Sequence, residues 1–165
     1  MASYRYGTPN NPLGTLTASQ VVCSAVGGST PAIASTRLGT CTLPAGLLGA
    51  GDRLEIDFQF SHTGSTSAFS GEVRVGSTSA FLRAAVSSEP LLLGHVSFGI
   101  ASGSQIWSTQ SWGSALNLAT SAGQSTEDTT QNLTVDFRGL LASGTSDVLA
   151  LKNFSVVRYP TQSNP

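Results

Sequence analysis

The sequence predicts an all-β protein: an antiparallel β-sandwich of jelly-roll type, with about eight strands and an extended N-terminal arm. Three observations lead there. Residues 53–61 alternate strictly, with Leu54, Ile56, Phe58 and Phe60 set between Arg53, Glu55, Asp57, Gln59 and Ser61. That period of two belongs to a strand with one dry and one wet face. No ten-residue segment carries a 3.6-residue period, so helices are not expected. Turn residues recur about every 8–15 positions, the spacing of short strands folded back and forth into two sheets.

In order, residues 1–30 read as an arm and first strand, 31–160 as the sandwich, and 161–165 as a polar tail. Thr8-Pro9-Asn10-Asn11-Pro12 cannot sit in a central strand or a helix interior. Tyr4, Arg5 and Tyr6 are contact groups of the kind enriched at interfaces, and are candidate attachment residues. Residues 15–25 alternate weakly until Gly27-Gly28-Ser29-Thr30-Pro31 breaks them. Residues 35–43 form a strand that leads through a Pro turn and a Gly turn into residues 53–62. Residues 69–75 and 79–85 flank Gly76-Ser77-Thr78 as a hairpin. Pro90 ends the next turn, and residues 91–101 place Val96, Phe98 and Ile100 on one face. Residues 105–112 and 114–120 are weaker strands, and 122–130 is a polar loop. Residues 131–141 alternate through Leu133, Val135 and Phe137, and 147–159 is the closing strand, stopped by Pro160.

The 165 residues suit one domain. Only 10% are charged, so Ser, Thr and Gly cover the wet faces, and Lys152 is the sole lysine. Net charge is −1 and the eight basic residues are scattered, which argues against a nucleic-acid partner. No apolar run approaches the ~20 residues of a membrane helix. The N-terminus has no apolar signal region, so synthesis in a cytoplasm is expected, and Cys23 and Cys41 are expected as free thiols on that ground. Two glycosylation sequons, at Asn132 and Asn153, match by chance in a chain so rich in Ser and Thr.

Thr42-Leu43-Pro44-Ala45-Gly46-Leu47-Leu48, followed by Gly51-Asp52-Arg53-Leu54-Glu55-Ile56, resembles the opening of jelly-roll domains in tailed-bacteriophage virion proteins. The polar loop at 125–130 and the strands at 133–137 and 149–158 fit the same order, so the resemblance spans about residues 36–159. It implies a structural protein on a virion, a capsid decoration or fibre subunit. Such domains often form trimers and contact other capsid or tail proteins. The long shaft of typical fibres is missing, which favours a small subunit attached through its N-terminal arm. The implied location is the virion, after synthesis in the host cytoplasm.

Catalytic signals are weak, and no enzyme activity, cofactor or metal is expected. The only histidines are His62 and His95, and no Gly-x-Ser-x-Gly elbow occurs. Asp52, Glu55 and Asp57 lie on one strand and its turn, where a solvated face explains them better than a glycosidase pair. Glu127-Asp128 lacks the spacing of a calcium loop. Trp107 and Trp112, among Gln105 and Gln110, are the ligand-type signal. Indoles serve as core, as subunit interface or as stacking platforms for sugar rings. A carbohydrate-binding module for host surface glycans is therefore the alternative function.

Overall fold

The computed structural model describes residues 3–4, 16–113 and 119–162. These residues contain thirteen strands and no helix: β1 (Ser3–Tyr4), β2 (Leu16–Thr17), β3 (Gln20–Ala25), β4 (Ser29–Thr30), β5 (Thr36–Leu43), β6 (Arg53–Thr63), β7 (Phe69–Val75), β8 (Thr78–Ala85), β9 (Leu91–Ala101), β10 (Ser104–Gly113), β11 (Ala119–Ser125), β12 (Leu133–Leu141) and β13 (Val148–Tyr159). A seven-stranded sheet runs β11-β10-β9-β6-β13-β3, with β4 also paired to β13. A four-stranded sheet runs β5-β12-β7-β8, and β1 pairs β2 separately. The chain is thus an all-β antiparallel sandwich of jelly-roll type.

The core follows from the alternation. Leu54, Ile56, Phe58 and Phe60 on β6 are buried, as are Leu92, Val96, Phe98 and Ile100 on β9. Across the interior they meet Leu133, Val135, Phe137 and Leu141 of β12. Each such side chain contributes about 1.5–3 kcal/mol on burial. Phe58 stands edge-on to Phe60 at 5.6 Å and to Phe81 at 4.8 Å, the geometry that ring quadrupoles favour. β6 is central in its sheet, paired to β9 on one side and β13 on the other.

Two expectations are corrected. Cys23 and Cys41 form a disulfide rather than two free thiols. Cys23 is on β3 of one sheet and Cys41 on β5 of the other, with Cα atoms 5.9 Å apart, inside the range a disulfide spans. The bond therefore ties the two sheets together at one edge. The segment expected to be loop from residue 122 is instead strand through Ser125, because β11 completes its backbone hydrogen bonds on β10. The hairpin at 76–78, the turn at Pro90 and the closing strand ending at Tyr159 are where the sequence places them.

Candidate functional site

The two outer faces differ in chemistry. On the four-stranded sheet the charges neutralise one another: Arg37 meets Asp136 at 2.6 Å and Arg74 meets Glu72 at 2.8 Å, while Arg138 is held by the Ser35 hydroxyl and carbonyl. The seven-stranded sheet mixes hydroxyls and carboxamides with Arg53, Glu55, Asp57 and His95, arranged by register into rows. One row is Trp112–Leu93–Gln59–Asn153, crossing β10, β9, β6 and β13. The next is Gln110–His95–Asp57–Ser155, followed by Ser108–Ser97–Glu55–Val157 and Ile106–Gly99–Arg53–Tyr159.

An open depression of about 310 Å³ lies over the first two rows, lined by Asp57, Phe58, Gln59, Leu93, Gly94 and Asn153. Beneath it, a Cβ at residue 94 would point into the core and overlap the Phe58 ring, so glycine makes room for the buried phenylalanine. Leu93 offers an apolar surface, 41% exposed. Asn153 Nδ2 donates to Gln59 Oε1 at 3.1 Å, leaving Gln59 Nε2 and Asn153 Oδ1 free among the described residues. Asp57, whose side chain is 59% exposed, shares Oδ1 with His95 Nδ1 at 2.8 Å and keeps Oδ2 open. Beside Asn153, β13 carries a bulge between Leu151 and Asn153, and the inserted residue is Lys152, exposed. Two rows away from Asp57, Arg53 meets Glu55 at 3.2 Å and lies over the Tyr159 ring at 4.8 Å. The Glu55 charge, helped by burial and a hydrogen bond, raises the Tyr159 hydroxyl above its ordinary pKa.

Donors, acceptors and an apolar surface side by side can bind hydroxyl groups and C–H faces together. The other histidine lies on the opposite side of the same sheet: His62 is buried inward, stacked on Phe69 at 4.8 Å, with Nε2 at 3.2 Å from Asp147. The remaining carboxylates singled out from the sequence hold loops. Burial raises Asp52, but the Gly49 and Thr161 N–H groups and the Arg158 guanidinium outweigh it and keep it below the ordinary range. Burial likewise opposes Glu127, and the Thr78 and Ser77 hydroxyls and the Ser77 N–H lower it. Asp128 is lowered by the Thr130 hydroxyl and N–H. Among the described residues no group of three or more His, Cys, Asp or Glu could hold a metal.

Trp107 and Trp112 do not act as a pair. Trp107 turns inward, stacks on Phe98 at 5.9 Å and packs against the core, lying over Gly123, where a Cβ would overlap the indole. Trp112 takes the register position opposite Leu93, and its side chain lies outside the described residues. The side chain of Tyr4, and Arg5 and Tyr6 entirely, also lie outside them. Leu93, His95 and Asn153 are new to the site. Alternation marks Gln59 as wet, but which residues sit beside it depends on register between strands far apart in sequence.

No family model matches the chain, and no curated protein does. Among solved structures it is similar to lectin UEA-II complexed with galactose, at 7% identity over 88% of this chain and 90% of that one, TM-score 0.42. It is similar to lectin I from Ulex europaeus in complex with the methyl glycoside of α-L-fucose, at 10% identity over 94% and 85%, TM-score 0.40. Infectious bursal disease virus Gx strain gives 12% identity over 96% of this chain and 36% of that one, TM-score 0.37. Likeness of this depth transfers no function to the chain.

Proposed function

We propose that the protein is a non-catalytic carbohydrate-binding sandwich that engages glycans with the outer face of its seven-stranded sheet. The observation that carries the reading is the row Leu93–Gln59–Asn153 with Asp57 beside it. Sugars present hydroxyls that both donate and accept, next to apolar C–H patches. Carboxylate and carboxamide groups around an aliphatic surface match that alternation, and hydrogen bonds to a charged acceptor are the stronger kind. Binding to a glycan array tests it. The wild type binds, and Asn153→Ala and Trp112→Ala reduce binding while melting temperature is kept. An array with no signal for the wild type rejects the reading.

A second reading is a virion subunit, a homotrimer attached to capsid or tail proteins, for which glycan binding would be the receptor-recognition step. It is supported by the resemblance carried by residues 42–56 and by the exposed apolar side chains Val21, Val26 and Ile33 in the segment before β5. The disulfide suits a particle that works outside the cell after assembly in the host cytoplasm, since oxidising surroundings preserve it. Light scattering at several concentrations tests the trimer, and a monomer throughout rejects it.

A further inference from the structure

We infer that the ligand is a pyranose bearing a carboxylate, with the carboxylate docked at Lys152, an inference that rests on the carbohydrate reading of the same face. Lys152 is the only lysine in the chain, and it sits at the bulge of β13, directly beside the Gln59–Asn153 row. Bulges re-aim side chains and often border functional surfaces. Here the extra residue leaves two consecutive exposed positions, Lys152 and Asn153, of which Asn153 lines the depression.

The charge pattern gives the lysine its meaning. Arg37, Arg53, Arg74, Arg83 and Arg158 each meet a carboxylate and Arg138 is held by the Ser35 hydroxyl and carbonyl, but Lys152 has neither kind of partner among the described residues. It is a cation without a counter-charge on a face where Arg53 is paired with Glu55 and Asp57 is bonded to His95. Asp57, the negative group of the depression, lies on the other side of the Gln59–Asn153 row, because Asp57 pairs Ser155 while Lys152 falls between the partners of Gln59 and Phe60. The two charges are therefore separated along the strands by two to three residues, about 7–10 Å at ~3.3 Å per residue. That is the span of a sugar ring with its acid group. The polarity orients the ligand: carboxylate toward Lys152, ring hydroxyls over Gln59 and Asn153, and a hydroxyl donating to Asp57 Oδ2. A neutral sugar leaves the lysine unused.

The test is NMR titration of the full chain with methyl glucuronide and an N-acetylneuraminic acid glycoside, against methyl glucoside and methyl galactoside, at low and high salt. The expected result is about two- to fivefold tighter binding of an acidic sugar, weakening with salt as an exposed charge pair does. In Lys152→Gln that preference vanishes with neutral-sugar affinity and melting temperature unchanged. Equal binding of acidic and neutral sugars, or a preference that survives Lys152→Gln, overturns the inference and leaves the carbohydrate reading standing. Failure of every sugar to bind overturns both.

Discussion

Removing the Cys23–Cys41 disulfide removes the side-chain cross-link between the sheets. The bond closes a loop of 18 residues in the unfolded chain. Chain-entropy reasoning gives about 3 kcal/mol for a loop of that length. A chain of this size loses about 2–4 °C of melting temperature per kcal/mol, so the expected drop is about 6–12 °C. The damage should be local first. Among the described residues β3 is an end strand that pairs with β13 alone, so without the disulfide its backbone bonds open independently of the rest. The assay is thermal melting of the wild type, oxidised and reduced, and of the Cys23→Ala/Cys41→Ala double variant. Hydrogen exchange across residues 20–25 accompanies it. Both forms lacking the bond should melt together, with exchange accelerated in β3 and unchanged in β6. A loss under about 2 °C, or two reactive thiols in the denatured, unreduced protein, would refute the reasoning.

Gly94→Ala should destabilise by about 1–3 kcal/mol, because the added methyl overlaps the Phe58 ring and the packed core must shift; urea unfolding reads the loss. Acid should weaken the fold in a defined window. Asp147 is held below its ordinary 3.8 first by the Ser67 N–H and then by the Thr66 N–H and His62, and Asp52 and Glu127 are lowered as described. A lowered folded pKa means the unfolded chain binds protons first, so this stabilisation is complete above about pH 5 and is lost as pH falls through the unfolded values, 3.8 for Asp and 4.5 for Glu, toward the folded ones. Melting temperature against pH should be flat from 7 to 5 and fall below 4, and Asp147→Asn should flatten the acid limb at the cost of a lower plateau. Trp107→Ala should lower the melting temperature, as a core-packed indole requires, whatever it does to glycan binding.

How far the sequence reveals the molecule depends on which physics decides each residue. β6 is legible because its whole inward face is apolar, so alternation alone sets four core positions and the opposite wet row. β10 is not. Its inward positions include Gln105, Thr109 and Ser111, all buried, while Ile106 is 53% exposed, so its apolar pattern points the wrong way. Gln105 can be inside because Glu127 N–H and Ser125 Oγ donate to its Oε1 and its Nε2 donates to the Glu127 carbonyl, a satisfied set assembled by the distant β11–β12 loop. The same pattern leaves Trp107 open between core, interface and ligand roles in the sequence, whereas its register partner Phe98 marks it as inward. The disulfide is missed for a different reason: compartment reasoning weighed against it, and the nearness of β3 and β5 is a property of the assembled sheets. The candidate site is legible only in part. Gln59 and Asp57 can be read as wet, but Leu93, His95 and Asn153 join them through pairings with β9 and β13 that span some 35 to 95 residues of chain.

The outer face of the seven-stranded sheet is the proposed binding surface. Amide chemical-shift mapping of the labelled protein with the best-bound glycan tests this most directly. Shifts should concentrate at residues 57–59, 93–95 and 152–155, with residues 37, 74 and 138 on the other sheet undisturbed. Shifts centred on that four-stranded face, or on loops at either end of the sandwich, would contradict it.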